Sequence, residues 1–164
     1  MEWFERLYFG TWQFGGQFKQ LPVVQIEKLL RFALESDIRR FDTAAVYGGG
    51  KVEEILGACL PQEAVIVTKV PALSKPELNS FAPIQNFYTP DLIRQSVHES
   101  LERLRRETVN TILLHNWHPT WSSNAIEILT ALDGLKKLGL VRRIGISLPN
   151  SFNAHIDDAI LSYT

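Results

Sequence analysis

The chain has 164 residues, 45% hydrophobic and 21% charged, which is typical of one soluble globular domain. The net charge is -1 and the basic residues are scattered, so nucleic-acid binding is not indicated. The single cysteine, Cys59, excludes an intramolecular disulfide. No apolar stretch approaches the roughly 20 residues of a membrane helix, and the start lacks signal-peptide features, so we expect a cytoplasmic protein.

The first half of the chain alternates short apolar runs with segments of helical periodicity. A brief run over 7–10 predicts a strand, and apolar residues at helical spacing predict a helix over 25–35. A second short run, 38–41, precedes a predicted helix over 51–60. The uncharged, β-branched run 64–68 predicts a buried strand.

The second half continues this alternation after a loop-like segment, 71–88, that is long for a plain connection. Thr89 and Pro90 are typical of a helix start, as the N-cap and first helical residue. The remaining predicted elements are a strand over 109–114, a helix over 123–138, a strand over 141–146 and the beginning of a helix over 156–161.

About five strand–helix repeats therefore follow one another, which predicts a parallel sheet covered by helices. An eight-fold barrel and an open, doubly wound sheet both satisfy this order. A complete (β/α)8 barrel typically takes about 250 residues, so this chain would provide only part of one.

Polar side chains follow four successive predicted strands, at the point where each strand ends. They are Asp42, Lys69, His115 and Ser147. In a barrel the carboxyl ends of the strands form the rim on which active sites are built. We therefore expect these residues to share one site.

Reduction of a carbonyl group by hydride requires a proton donor, and Tyr47 can be that donor. A free phenol has a pKa of about 10, and we expect the ammonium of Lys69 to lower it. Asp42 would pair with Lys69 and orient it. His115 would place a hydrogen-bond donor on the carbonyl oxygen or help to move the proton.

Four stretches of the sequence resemble aldo-keto reductases. FDTAAVYG at 41–48 is similar to the signature around the catalytic Asp and Tyr, and GKVEEILG at 50–57 continues it. VIVTK at 65–69 resembles the strand with the catalytic Lys, and ILLHN at 112–116 resembles the strand with the catalytic His. The resemblance implies NAD(P)H-dependent reduction of an aldehyde or ketone to an alcohol, usually with NADPH. The catalytic residues implied are Asp42, Tyr47, Lys69 and His115.

The resemblance also implies that 1–164 is the N-terminal portion of a single TIM (β/α)8 barrel, truncated to about its first five strand–helix units. The turn at 10–12 is similar to the one that lies against the cofactor, and VRRIGIS at 141–147 matches the strand whose Ser contacts the nicotinamide amide. The cofactor-binding residues implied are Gly10, Thr11, Trp12, Asp42 and Ser147. The expected substrate pocket is formed by Tyr47, His115 and Trp117.

Two departures from the family pattern bear on cofactor binding. Leu148 follows Ser147 where the family commonly has Asn. The family's later strands, with further nicotinamide and pyrophosphate contacts, have no counterpart here. We therefore expect a C-terminal segment or a second chain to complete the barrel, and expect the 164 residues alone not to bind the cofactor tightly.

Two other functions remain open at this stage. A non-catalytic or regulatory relative of the family would fit the truncation. A metal-dependent barrel hydrolase would use Asp42 with His115 and His118, which form an H-x-x-H pair. The two histidines lie in a predicted loop and Pro119 follows them, so they do not form a pair of ligands on a helix. We therefore predict no metal site.

Overall fold

The computed structural model describes residues 7–76, 82–122 and 124–148. The helix predicted over 156–161 lies outside these residues. The strands are β1 (Phe9–Gly10), β2 (Arg40–Asp42), β3 (Val65–Val70), β4 (Val109–Leu114) and β5 (Val141–Ile146). The α-helices are α1 (Val23–Glu35), α2 (Lys51–Cys59), α3 (Pro90–Leu104) and α4 (Ile126–Lys137).

The five strands form one parallel sheet in the order β1-β2-β3-β4-β5. Each strand pairs with the next one along the chain, with a helix between successive strands from β1 to β5. A doubly wound sheet would reverse its strand order at a switch point, whereas a (β/α)8 barrel keeps sequence order. The sheet order therefore decides between the two predicted architectures in favour of the barrel arrangement.

Local chemistry explains where the elements begin and end. The Thr89 hydroxyl accepts a hydrogen bond from the amide of Leu92 at 3.1 Å, which confirms the predicted N-cap of α3. Gly139, with φ +78, follows the end of α4, where a glycine commonly ends a helix because it adopts positive φ without strain. The predicted bounds of β4 and β5 are confirmed. Helix α4 begins later than predicted, at Ile126.

The core lies between the sheet and the helices. Phe41, Ile66 and Ile112 contribute fully buried strand residues, and Leu56 and Ile93 do so from α2 and α3. Helices α2 and α3 approach closely at Gly57, where an added Cβ would lie 2.3 Å from the carbonyl oxygen of Arg103. Among the described helices, none combines the length and the hydropathy that a membrane span requires.

Candidate active site

A partly buried ion pair joins the ends of β2 and β3. The ammonium of Lys69 donates to Asp42 Oδ1 at 2.7 Å and to the carbonyl oxygen of Thr43, also at 2.7 Å. Lys69 is only 6% exposed, whereas the Asp42 side chain is 36% exposed. The carboxylate thus reaches solvent at the rim while it fixes the ammonium below it.

Tyr47 is placed over this ion pair by the turn that follows β2. Gly48, Gly49 and Gly50 all have positive φ, between +58 and +90, which side chains rarely adopt. This glycine run lets the chain reverse into α2 directly after Tyr47. The Lys69 Nζ atom lies 5.3 Å from the centroid of the Tyr47 ring, within cation–π range.

His115 completes the group from the end of β4. Its backbone amide donates to the carbonyl oxygen of Val70 at 3.0 Å, which ties the residue to the end of β3. The imidazole meets the Tyr47 ring edge-on, with 6.4 Å between ring centroids. The four residues predicted to be catalytic are therefore neighbours at one end of the sheet.

The environment shifts the pKa of Tyr47 in the direction opposite to the one expected from the sequence. Burial raises the pKa of the Tyr47 phenol, and the Asp42 carboxylate raises it further. The expected lowering of this pKa below its ordinary value is wrong, because burial and the Asp42 carboxylate set the direction of the shift. The Tyr47 phenol is consequently protonated at neutral pH.

The pKa of His115 is shifted the other way. Burial lowers the pKa of the His115 imidazole, the Lys69 ammonium lowers it further, and Asp42 partly opposes them. His115 is therefore neutral at pH 7, with one ring nitrogen as a donor and the other as an acceptor. A protonated phenol and a neutral imidazole thus stand side by side at this rim.

The first-strand turn lies directly behind Asp42. Gly10 pairs with Asp42 in the sheet, and the amide and hydroxyl of Thr11 both donate to the Asp42 carbonyl oxygen, at 3.0 and 2.9 Å. Thr11 is fully buried and its side chain holds the Asp42 backbone in place. Trp12 is 44% exposed and packs edge-on against Phe18.

Ser147 lies beside His115, at the end of β5. Its amide donates to the Leu114 carbonyl oxygen and its own carbonyl oxygen accepts from the amide of Trp117, both at 2.8 Å. Within the described residues the Ser147 hydroxyl makes no hydrogen bond. It is half-buried and available to a ligand at the rim.

Trp117 turns away from the rim and into an aromatic cluster. It is 5% exposed, and its ring meets Trp121 edge-on at 5.8 Å. Its indole N–H is buried and has no hydrogen-bond partner in the described part of the chain. Of the three residues predicted for the substrate pocket, Tyr47 and His115 are brought together, and Trp117 lies deeper.

A second buried ion pair lies on the helix side of β3 and was not identified from the sequence. Glu53 of α2 is fully buried, accepts from the Thr68 hydroxyl at 2.5 Å and from Arg103 Nε at 2.7 Å. Thr68 immediately precedes Lys69. The one available signal was a pair of acidic residues between the apolar Val52 and Ile55, and nothing local identifies a partner fifty positions away.

The metal-hydrolase alternative gains no support from the geometry. The described residues contain no group of three or more histidine, cysteine or acidic side chains placed to hold a metal ion. His118 is buried instead, with Nδ1 2.8 Å from the Thr120 hydroxyl and its ring 5.9 Å from that of Trp121.

Comparison with known proteins identifies the family to which this chain is similar. The aldo/keto reductase family model matches residues 6–160. A D-arabinose 1-dehydrogenase of Saccharomyces cerevisiae is 28% identical over 132 residues, which are 76% of this chain and 36% of that protein. A 6-dehydroglucose reductase of Agrobacterium fabrum is 29% identical over 149 residues, which are 87% and 49% of the two chains.

Among solved structures, an aldo-keto reductase from Klebsiella pneumoniae in complex with NADPH has a TM-score of 0.68 and 25% identity. The match covers 96% of this chain and 49% of that structure. The chain thus spans half or less of the length of the proteins it matches here.

Proposed function

The chain belongs to the aldo/keto reductase family, and on that basis we propose that it supplies the acid–base half of an NADPH-dependent carbonyl reductase. The reaction is the reduction of an aldehyde or ketone to an alcohol. The observation that carries the proposal is the contact group of Asp42, Lys69, Tyr47 and His115, in which a protonated phenol lies against a buried ammonium and a neutral imidazole.

The residues at this rim are compatible with a nicotinamide cofactor. Ser147 offers an unused hydroxyl, and an added Cβ at Gly10 would meet no atom within 4 Å, so a flat ring could approach the backbone there. Gly10, Asp42 and Ser147 would hold the nicotinamide end, with Trp12 at the exposed margin. Thr11, predicted from the sequence as a cofactor contact, is fully buried and would support them by holding the Asp42 backbone. When bound, NADPH supplies the hydride.

The chain's own residues would handle the proton. Tyr47 would donate its phenolic proton to the carbonyl oxygen as negative charge develops there, and the Lys69 ammonium would stabilise the phenolate that remains. Asp42 keeps that ammonium in place. His115, as a neutral donor, would hydrogen-bond to the carbonyl oxygen and orient the substrate.

The names of the relatives suggest the first substrates to test. One matched relative is an arabinose dehydrogenase and the other a dehydroglucose reductase. We propose hydroxylated aldehydes and oxidised sugars as the substrate class, and NADPH as the cofactor because of the Klebsiella complex. A C-terminal segment or a second chain would complete the barrel.

The test compares Tyr47→Phe with the unsubstituted protein, in the longest reading frame that contains this sequence. Within the described residues the Tyr47 hydroxyl makes no hydrogen bond, so its removal leaves the fold unchanged. We expect NADPH oxidation with an aldehyde to fall by about a hundredfold or more. Tyr8→Phe is the matched control, because Tyr8 lies outside the contact group and is 40% exposed.

An unsubstituted protein that neither binds NADPH nor reduces any aldehyde or sugar would refute the reductase proposal. The chain would then be a non-catalytic member of its family. Equal rates for Tyr47→Phe and Tyr8→Phe would instead refute the assignment of Tyr47 as the acid.

A further inference from the structure

The backbone around His115 is held by four hydrogen bonds from three directions. Two of them join Leu114 and Trp117 to Ser147, and a third runs from the His115 amide to Val70. All three are backbone–backbone bonds of the sheet and its end. The fourth is different, because the phenolic hydroxyl of Tyr88 donates to the carbonyl oxygen of His115.

Tyr88 comes from the connection before α3 and belongs to neither strand end. It is fully buried, and burial strongly raises the pKa of its phenol, so the hydroxyl stays protonated and can donate a hydrogen bond at neutral pH. Its ring meets the ring of Trp121 edge-on at 6.0 Å. Trp121 is itself 1% exposed, and its indole N–H donates to the Ala82 carbonyl oxygen at 2.9 Å, which fixes a second point of the same connection.

The peptide that Tyr88 binds is a turning point in the chain. The next residue, Asn116, has φ +61, in the left-handed region that side chains other than glycine rarely adopt. The carbonyl oxygen of His115 lies just beyond the end of β4 and accepts the hydrogen bond from the Tyr88 hydroxyl. Loss of that bond would leave the peptide group between His115 and Asn116 free to rotate.

We propose that Tyr88 is a positioning residue that fixes the His115 imidazole against Tyr47 by holding the His115 carbonyl group. Tyr88 acts through His115, and its side chain makes no hydrogen bond or ring contact with the other members of the contact group. Only its kinetic consequence rests on the proposed reductase function. The positioning itself concerns this chain's own geometry and can be measured without a substrate.

The experiment uses Tyr88→Phe, which keeps the buried ring and its packing on Trp121 but removes the donor. The readouts are the carbonyl-carbon resonance of His115 and the titration of its imidazole by NMR, assigned with His115→Asn. Asp42, Lys69 and Tyr47 face that imidazole and are unchanged in the variant. We expect the carbonyl resonance to move, and the lowered pKa of His115 to rise towards its ordinary value as the ring gains access to water.

Phe87→Leu is the matched control. Phe87 adjoins Tyr88, is 7% exposed, and packs on the same Trp121 ring at 5.0 Å, while its side chain makes no hydrogen bond to His115. It should lower the stability at least as much as Tyr88→Phe and leave both His115 signals in place. Unfolding curves of the two variants, measured together, separate stability from position.

The kinetic arm is read separately. In an active protein, Tyr88→Phe should lower kcat about tenfold and leave KM for NADPH unchanged, because misplacement of a catalytic group affects the chemical step. Unchanged His115 signals in Tyr88→Phe would overturn the positioning role, as would equal changes in Phe87→Leu. Changed signals in a protein without reductase activity would support the positioning role and count against the proposed function alone.

Discussion

The ammonium of Lys69 lies 2.7 Å from the Asp42 carboxylate and 2.7 Å from the Thr43 carbonyl oxygen, and almost no water reaches it. A cation buried in this way has exchanged its hydration shell for two fixed acceptors. The acceptors decide where the positive charge is held relative to Tyr47. The electrostatics of the site therefore depend on a few contacts at the ends of two strands.

Removal of that cation should affect both rate and stability. In Lys69→Met, the Asp42 carboxylate can turn to solvent because it is partly exposed, so we expect a loss of only about 1–2 kcal/mol in the free energy of unfolding. Carbonyl reduction should fall roughly a hundredfold or more. Denaturant unfolding and steady-state kinetics check the two expectations.

The control is Lys51→Met. Lys51 pairs with Glu54 at the same 2.7 Å, but both side chains are more than half exposed. Exposed pairs contribute little, so this variant should lose less than about 1 kcal/mol and keep its activity. The interpretation of Lys69 is wrong if both lysine variants behave alike.

The buried pair behind β3 should be among the more costly interactions to break. Arg103→Met leaves the fully buried Glu53 carboxylate with the Thr68 hydroxyl but without its cation, which costs about 3–5 kcal/mol in the free energy of unfolding. Arg94→Met, on the same helix, removes an exposed pair with Asp91 and should cost under about 1 kcal/mol. Similar unfolding midpoints for the two variants would contradict this assignment.

Two glycines inside helices should respond to alanine with opposite signs. Alanine favours a helix over glycine by about 1 kcal/mol, and at Gly134 an added Cβ would meet no atom within 4 Å. Gly134→Ala should therefore raise the free energy of unfolding. At Gly57 the added Cβ would lie 2.3 Å from the Arg103 carbonyl oxygen, so α2 and α3 must separate, and Gly57→Ala should lower it. Thermal unfolding decides both signs.

His115 should make stability depend on pH in a defined window. Its pKa is lowered in the folded state, so between that value and the ordinary value of about 6.5 the unfolded chain binds more protons. Stability should consequently fall as pH drops below about 6.5, until the folded-state pKa is reached. Denaturant midpoints measured across this window should change less steeply in His115→Asn. A variant as pH-dependent as the unsubstituted protein would contradict the assignment.

The sequence was most informative where local patterns decide structure. The β-branched run before Lys69 and the apolar run before His115 predict β3 and β4, and the position of each polar residue at a strand end follows directly. The Thr89 cap is equally local. For the same reason Asp42, Lys69 and His115 could be expected to share one site, whereas Tyr47 was predicted from the chemistry of carbonyl reduction and from the family resemblance.

Contacts between segments that are distant in the sequence could not be predicted from local patterns. Glu53 is one of two adjacent glutamates on an amphipathic helix, and only the packing of α3 against α2 shows that it is the buried one. In the sequence Tyr88 is the last residue of a loop-like segment. Its hydrogen bond to the His115 carbonyl group depends on how that segment packs against the end of β4. The direction of the Tyr47 pKa shift was missed because it depends on burial and on the nearby Asp42 carboxylate.

The order of the strands separates the residues proposed to handle the proton from those proposed to hold the cofactor. Asp42 and Lys69 lie in β2 and β3, and His115 follows β4. These three strands are paired on both sides, whereas Gly10 and Ser147 lie at the ends of β1 and β5, the outer strands of the described part of the sheet. The residues proposed to handle the proton thus lie on or next to strands that are paired on both sides. The residues proposed to hold the nicotinamide lie instead at the two strands that a further segment would pair with. We therefore expect cofactor affinity to depend on completion of the barrel, and the arrangement of Asp42, Lys69 and His115 not to depend on it.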